Sequence, residues 1–165
     1  ELSIFVPNRK LDDDGAALLR FDNGATGVLM ASQVAAGEEN ALKIRVYGEK
    51  GGLEWLQHDP NSLIVKWTDK PLQVLRVGTS MNSSVTLHNS RTPGGHPEGY
   101  IEAFANIYRN FALTLMSKME GKEPTPEMLD FPGVEDGVRG MQFIETMVKA
   151  GYDDTTKWVK FPDLQ

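Results

Sequence analysis

Residues 15–33, GAALLRFDNGATGVLMASQ, decide the fold of this chain. Two runs of apolar and β-branched residues, 15–21 and 26–33, flank the segment Asp22-Asn23-Gly24-Ala25. An Asn-Gly pair between two such runs is the strongest short-range signal for a hairpin, because both residue types tolerate positive φ. The stretch therefore predicts two antiparallel strands joined by a tight turn.

Both faces of the predicted hairpin are partly apolar. One face of an antiparallel sheet usually meets water, so two apolar faces predict helices on one side and another subunit or domain on the other. On the first strand Ala17, Leu19 and Phe21 alternate with Ala16, Leu18 and Arg20, and on the second Leu29 and Ala31 alternate with Val28 and Met30.

Short apolar runs continue on both sides of the hairpin. They lie at residues 2–6, 42–48, 52–56, 62–68 and 72–77, and Gly, Asn, Asp and Pro residues separate them. This punctuation is typical of short strands joined by turns. We expect a largely antiparallel meander of roughly six or more strands before Gly78.

The second half of the chain changes to a helical pattern. Residues 78–95 are polar and predict a long loop. Apolar residues then recur at helical spacing, which predicts one helix near residues 98–120, with Pro97 at its first position, and another near residues 134–150. Residues 157–161 alternate and predict a last edge strand. The apolar stripes are Ile101, Phe104, Ile107, Tyr108, Phe111, Leu115 and Met119 in the first helix, and Val134, Val138, Met141, Ile144, Met147 and Val148 in the second.

Strands first and helices later indicate an α+β fold. We expect an open, mainly antiparallel β-sheet with two main helices packed on one face. The 165 residues, of which 40% are hydrophobic and 24% charged, have the size and composition of one globular domain spanning residues 1–165.

Charge and composition exclude several classes of partner. The net charge is -6 and no block of Lys or Arg occurs, which argues against nucleic acid and anionic membranes. No apolar stretch approaches the ~20 residues of a membrane-spanning helix, and no secretion signal is visible. The chain has no cysteine, which excludes disulfides and thiolate metal sites and suits a cytoplasmic location. The start at Glu1 without Met predicts a natural or engineered fragment.

Motifs for a complete active site are missing from the sequence. It contains no G-x-G-x-x-G, P-loop, H-E-x-x-H, G-x-S-x-G or EF-hand loop. We therefore assign no catalytic, cofactor-binding or metal-binding residue within the chain. Among its histidines, His58 is predicted as a turn residue and His88 as a solvent-exposed loop residue.

His96 has a more informative position, within the segment TPGGHPEGY at residues 92–100. A helix N-terminus favours oxygen-rich ligands, and an imidazole can donate or accept a hydrogen bond from a sugar hydroxyl. The alternative is that His96 caps the helix and stiffens the turn, and the same two interpretations apply to Tyr100 and Glu98. Arg9 and Lys10, before the acidic run at residues 12–14, form either a charged turn or a contact with substrate at a strand end.

The order of several segments resembles one known family. They are DDDGAALLRFDNGA at residues 12–25, ASQ at 31–33, VYGEKGGLEW at 46–55, GHPEGY at 95–100 and DGVRG at 136–140. Together they are similar to the C-terminal domain of the glucose-fructose oxidoreductase, inositol dehydrogenase and rhizopine-catabolism (Gfo/Idh/MocA) family. The likeness runs through nearly the whole chain.

This resemblance implies the substrate-binding and oligomerisation half of an NAD(P)-dependent oxidoreductase. Family members oxidise or reduce a carbinol of sugars, inositols or related polyols, and they pair this domain with an N-terminal Rossmann domain that holds NAD or NADP. The family's Glu-Lys-Pro motif and its catalytic Asp and His are expected before Glu1; Asp69-Lys70-Pro71 is predicted to be only a hairpin turn. The chain alone is expected to bind no cofactor and to be inactive.

Five residues are predicted to contact substrate. We place His96 first, then Arg9, with Gln33, Lys10 and Tyr100 after them. The expected assembly is a homodimer or homotetramer. Two other functions stay open: a non-catalytic sheet domain used for assembly, and a stand-alone binder of small ligands. The substrate, the choice between NAD and NADP and the reaction direction are not determined by this sequence.

Overall fold

The computed structural model describes residues 1–80, 82–156 and 158–163. The elements in these ranges are β1 (Leu2–Ser3), β2 (Asp14–Arg20), β3 (Thr26–Ser32), β4 (Lys43–Gly48), β5 (Gly51–Leu56), β6 (Ser62–Trp67), β7 (Gln73–Arg76), α1 (Ser84–Asn89), α2 (Tyr100–Met119) and α3 (Val134–Gly151). The chain divides into a first unit, residues 1–38 and 132–165, and a second unit, residues 39–131. The α+β class and the antiparallel strand pairing are confirmed, with the strands distributed over two open sheets.

The predicted hairpin forms the centre of the first unit. Strands β1, β2 and β3 pair antiparallel in that order. The N–H of Gly24 donates to the Phe21 carbonyl at 2.9 Å, and Gly24 has a φ of 86°. Asn23 keeps a negative φ and instead accepts the Ala25 N–H on its side chain at 3.0 Å. The turn therefore requires the left-handed conformation at the glycine alone.

One face of this hairpin is apolar and exposed. The register pairs Ala16 with Met30 and Leu18 with Val28, so these four residues share a face. Leu18, Val28 and Met30 are 68%, 74% and 69% exposed. Within the described residues the three large apolar side chains of this face are thus mostly exposed. That another subunit or domain covers the face stays a prediction.

The second unit contains an antiparallel sheet in the order β4-β5-β6-β7. Within the described residues Val65, at 7% exposure, is the only buried apolar side chain. On the opposite face the Glu54 carboxylate lies 2.5 Å from Lys66, 3.2 Å from Arg45 and 3.4 Å from Lys43. The hydrogen bond from Lys66, with the charges of Arg45 and Lys43, outweighs burial and lowers the pKa of Glu54 to about 2.

The two long helices are confirmed, but their buried sides differ from the expectation. In α2 the buried residues are Asn110, at 0% exposure, and Thr114. The predicted apolar stripe is exposed from Ile101 to Met119, and so are Val134, Val138, Met141, Ile144 and Val148 of α3. Of the predicted apolar face of α3, only Met147 is half-buried within the described residues.

A polar seam on α2 takes the place of an apolar contact. Asn106, Asn110 and Thr114 recur every four residues and so share one helix face. The Asn106 amide donates to the Asn89 carbonyl at 2.8 Å, and the Asn110 amide donates to the Asp130 carbonyl at 3.1 Å. The Thr114 hydroxyl donates to the Met128 carbonyl at 2.8 Å. These bonds attach main-chain carbonyls of α1 and of the segment after α2 to side chains of α2.

Three local predictions need correction. The polar segment 78–95 contains α1, whose first turn is capped by the Ser83 hydroxyl, which accepts the Thr86 N–H at 3.3 Å. Helix α2 begins at Tyr100 after the cap Gly99, so Pro97 lies outside it. No strand forms at residues 158–161, and Lys157, the first residue of that predicted strand, lies outside the described residues. The segment lacks a neighbouring strand to complete its backbone hydrogen bonds.

Membrane insertion of a helix finds no support in the structure. Among the helices of residues 1–80, 82–156 and 158–163, none combines the length and the apolarity needed to span a bilayer.

The polar seam can be tested through unfolding. Asn110→Ala should lower the free energy of unfolding by about 2 kcal/mol, because it removes a fully buried amide together with its hydrogen bonds to the Asp130 carbonyl and His88. Asn106→Ala is the matched control: it removes one hydrogen bond and a buried Oδ1 that has no partner among the described residues, so its effect should be smaller. Urea unfolding of the purified chain measures both, and equal losses would contradict the role of Asn110.

Candidate functional site

The structure places the five predicted substrate contacts in two groups. His96 and Tyr100 belong to the second unit, at the start of α2, and Arg9, Lys10 and Gln33 belong to the first unit. All five side chains are exposed. Each group is therefore available to a ligand, and each is held by its own set of hydrogen bonds.

His96 lies in a tight turn before α2. Its N–H donates to the Pro93 carbonyl at 3.1 Å, and its carbonyl accepts the Thr92 hydroxyl at 2.7 Å. Nδ1 of the ring lies 3.2 Å from the Pro93 carbonyl oxygen. Because a carbonyl only accepts, Nδ1 carries the proton, and Nε2 of the neutral ring keeps a free lone pair. The ring can therefore accept a hydroxyl proton through Nε2.

Capping of α2 is not the role of His96. The cap is Gly99, whose N–H donates to the Glu102 carboxylate at 2.8 Å. That hydrogen bond lowers the pKa of Glu102. His96 lies three residues before the cap, so the helix start is completed without it and the capping part of that interpretation is wrong. Its hydrogen bonds with Pro93 and Thr92 do fit a residue that stiffens the turn.

Glu98 fixes the backbone of the His96 turn. Its carboxylate accepts the N–H of Thr92 at 2.7 Å and the N–H of Arg91, and the Arg91 guanidinium lies 3.5 Å away. Burial raises the pKa of Glu98, but the hydrogen bonds from Thr92 and Arg91 outweigh it, so the pKa lies below its usual value. The side chain therefore stays ionised near neutral pH and acts as a clamp.

Asn61, in the turn between β5 and β6, holds the same segment from the other side. Its amide nitrogen donates to the Glu98 carbonyl at 2.6 Å, and its Oδ1 accepts the Glu98 N–H at 3.2 Å. The two backbone groups of Glu98 are thus both satisfied by one side chain. This pairing anchors the His96 turn to the sheet of the second unit.

Two glycines bring the ends of the polar segment together. A Cβ on Gly78, which has a φ of 81°, would lie 2.6 Å from the backbone nitrogen of Gly94. No side chain fits at that distance. Gly78 therefore permits a close backbone contact with Gly94, two residues before His96.

Tyr100 occupies the first position of α2 and lies beside Phe104. The two ring centroids are 5.0 Å apart at a tilted angle. Such an exposed aromatic pair offers a flat apolar surface next to polar groups, a combination that ligand sites commonly use.

The first-unit group surrounds a turn at residues 6–9. The Arg9 N–H donates to the Val6 carbonyl at 3.3 Å, and Asn8 has a φ of 65°. Arg9 Nε lies 3.9 Å from an Asp13 carboxylate oxygen. Gln33 directly follows β3, and its N–H donates to the Asp13 carbonyl at 2.7 Å. Asp13 thus lies behind both Arg9 and Gln33.

The predictions for the other histidines have opposite outcomes. His58 is an exposed turn residue, as predicted, with Nε2 2.7 Å from the Glu39 carbonyl oxygen. His88 was expected in solvent, but it is half-buried, with Nε2 2.9 Å from Oδ1 of Asn110. The prediction for His88 is wrong because the segment that contains it forms α1 and packs on α2.

Sequence reasoning did not identify Asn61, Glu98 or Asp13 as the residues that shape the site. Asp13 was placed only in the acidic run at residues 12–14, and no local pattern pairs Asn61 with Glu98. Metal-binding clusters of His, Asp and Glu do not occur among the residues that the structure describes.

Comparison with known proteins defines the class of this chain. Residues 5–161 match the profile of the oxidoreductase family, C-terminal alpha/beta domain, and the chain belongs to that family. It is 32% identical over 158 residues to the uncharacterized oxidoreductase YfiI of Bacillus subtilis (strain 168), a match that covers 95% of this chain and 40% of the relative.

Solved structures agree with this membership. An oxidoreductase from Sinorhizobium meliloti is 41% identical with a TM-score of 0.89, over 97% of this chain and 44% of that one. An inositol dehydrogenase homolog from Azotobacter vinelandii, complexed with NAD+, is 31% identical with a TM-score of 0.87, over 97% of this chain and 41% of that one. The chain thus spans less than half the length of these relatives.

The assigned ring protons can be tested directly. In the neutral state His96 should carry its proton on Nδ1, and His58 should carry it on Nε2, because each of these nitrogens faces a backbone carbonyl. Nitrogen-15 correlation spectra of the chain above the pKa of both rings distinguish the two forms, with His58 as the internal control. The same tautomer at both histidines would contradict the geometry of the His96 turn.

Proposed function

We propose that this chain is the substrate-binding and oligomerisation domain of an NAD(P)-dependent oxidoreductase that acts on a carbinol of a sugar, inositol or related polyol. The observation that carries the proposal is the fixed His96 turn, which presents an exposed imidazole on a backbone clamped by Glu98 and Asn61, with Nδ1 facing the Pro93 carbonyl. A ring held in this way is suited to a hydroxyl-rich ligand.

The substrate class rests on chemistry and on relatives. Arg9, Lys10 and Gln33 supply donors, and His96 and Tyr100 supply an acceptor and an aromatic surface beside a hydroxyl group. The Azotobacter vinelandii inositol dehydrogenase homolog has also been solved with NADH and myo-inositol, at 32% identity and a TM-score of 0.77 over 86% of this chain and 37% of that one. The side chains are compatible with a hydroxyl-rich ligand, and the ligand of this relative favours a polyol.

A dinucleotide does not fit the helix starts of this chain. The phosphates of such cofactors need free N–H groups at a helix N-terminus after a glycine-rich turn. At α2 the Gly99 N–H is taken by Glu102, and at α3 the Gly133 N–H is taken by Asp136 at 2.8 Å. The carboxylates of Glu102 and Asp136 also place a negative charge at both helix starts. We therefore assign nicotinamide binding to another part of the full-length protein, and we expect this chain alone to bind no NAD(P)H and to be inactive.

Within the full-length enzyme this chain would bind and orient the polyol. His96 would accept a hydrogen bond from a substrate hydroxyl through Nε2 and hold the carbinol in position, which is the kind of orientation that speeds a reaction between two bound partners. Arg9 and Lys10, in the first unit, are candidate donors to hydroxyl oxygens of a polyol. The chemistry of hydride transfer is that of the nicotinamide cofactor.

Assembly is the second part of the proposal. The chain exposes 13307 Å², whereas two folded units of the same total mass would together expose roughly 10,000 Å². The apolar face of Ala16, Leu18, Val28 and Met30 contributes to this difference in exposed area. A stable interface buries on the order of 1,600 Å², and we propose that this face contributes to one in a homodimer or homotetramer.

The catalytic part of the proposal is tested in the full-length protein. NAD(P)+ reduction should occur with at least one member of a panel of inositols, aldoses and polyols. His96→Ala should lower kcat/KM for that substrate at least about tenfold, while the thermal midpoint changes little because α2 is capped by Gly99. His58→Ala, which removes another exposed histidine bonded to a carbonyl, should leave kcat/KM unchanged.

Each result has a clear consequence. No cofactor reduction with any member of the panel would reject the polyol oxidoreductase and favour an assembly domain or a ligand binder. Normal kinetics in the His96→Ala enzyme would remove this residue from the site.

The assembly part is tested by charge insertion. Met30→Lys should convert the oligomer to smaller species at micromolar concentration, because a lysine in the buried centre of an interface is costly to desolvate. Met119→Lys places the same change at the exposed end of α2 and serves as the control. Sedimentation velocity measures both, and an unaltered oligomer in the Met30→Lys protein would exclude this face from the interface.

A further inference from the structure

A buried carboxylate in the first unit has no part in the function proposed above. Asp13 is 2% exposed, although it lies in an acidic run between two partly exposed aspartates, Asp12 and Asp14. Ionised side chains are almost never buried unless they are paired and hydrogen-bonded. The partners of Asp13 therefore indicate what it does.

The Asp13 carboxylate binds the incoming side of the turn at residues 6–9. Oδ1 accepts the Phe5 N–H at 2.8 Å, and Oδ2 accepts the Val6 N–H at 2.9 Å. These hydrogen bonds, led by the one from Phe5, outweigh burial and lower the pKa of Asp13. The carboxylate thus remains charged and fixes two successive peptide groups immediately before the turn.

The same residue reaches the outgoing side of the turn and the ends of two strands. Arg9 Nε, after the turn, lies 3.9 Å from Oδ2, and the Arg9 side chain remains 44% exposed. The Asp13 N–H donates to the Ser3 carbonyl at 3.0 Å, and its carbonyl accepts the Gln33 N–H at 2.7 Å. One residue therefore connects β1, the Arg9 turn and the residue that follows β3.

We infer that Asp13 is the positioning residue of the first-unit group of proposed substrate contacts: its carboxylate holds the turn that precedes Arg9 and Lys10, and its main-chain carbonyl holds the backbone of Gln33. This inference rests on the proposed function and deepens it. Asp13 is too buried to touch a polyol itself, so its carboxylate acts through the turn. Loss of the carboxylate therefore weakens substrate binding by releasing the backbone before Arg9 and Lys10.

An asparagine at position 13 removes one of the two main-chain hydrogen bonds that the carboxylate accepts. The Phe5 and Val6 N–H groups point to different oxygens, and an asparagine presents only one acceptor and places an NH2 group against the other N–H. Asp13→Asn therefore keeps the size of the side chain and releases one peptide group before the turn. Asp12→Asn makes the same change of charge one residue away and is the matched control.

The experiment is steady-state kinetics of the full-length oxidoreductase with its best polyol. Asp13→Asn should raise the KM for the polyol about tenfold and leave the KM for the nicotinamide cofactor within about twofold, whereas Asp12→Asn should leave both constants unchanged. A merely structural role would reduce the amount of active enzyme and change neither KM.

A second variant tests the same turn in case the Asp13→Asn enzyme does not fold. Asn8→Val puts a β-branched residue at a φ of 65°, which disturbs the turn from its exposed side, and it should raise the polyol KM in the same way. Wild-type enzyme without polyol activity would reject the proposed function. Active wild type with a normal polyol KM in Asn8→Val and in any soluble Asp13→Asn enzyme would overturn the positioning role alone.

Discussion

The loops of this chain depend on the hydrogen bonds that main-chain N–H groups donate to side-chain oxygens. Asp13 accepts two such bonds before the Arg9 turn, and Glu98 accepts two before the His96 turn. These segments lie outside the strands and helices, so side-chain oxygens take the place of the partners that a regular element would supply. Each carboxyl consequently has a lowered pKa. The stability that such a group contributes is present above its ordinary pKa and is lost only as the pH falls through the lower folded value.

The parts of the fold that could be predicted from sequence are those set by local rules. The Asn-Gly pair predicts the hairpin, in which Gly24 adopts the positive φ. Helical spacing predicts the first residues of α2 and α3 to within about two positions. Helix α1 was missed although Ser83 is a good cap, because its six residues are too few to show a period. The buried side of α2 does not follow from its apolar stripe. It is marked instead by the polar series Asn106, Asn110 and Thr114, whose spacing of four residues is also visible in the sequence.

The candidate site could be predicted only in part, for a physical reason. The position of His96 before a helix can be predicted from the sequence, and the structure adds the orientation of its ring. Its clamp is not visible, because Asn61 and Glu98 are 37 positions apart, and no local pattern pairs them. Asp13 is a similar case: nothing in the run at residues 12–14 indicates which of its three aspartates is buried.

Assembly through the hairpin face requires more surface than that face supplies. Burying a large apolar side chain contributes about 1.5–3 kcal/mol. Leu18, Val28 and Met30 of two protomers, each about 70% exposed, would thus contribute roughly 6–13 kcal/mol. Association costs about 4–15 kcal/mol in lost rotational and translational freedom. The gain and the cost are similar in size, so the three residues cannot sustain a stable dimer alone. A stable interface must therefore also bury exposed apolar residues elsewhere, of which Ile44 and Val46 on β4 are examples within the second unit.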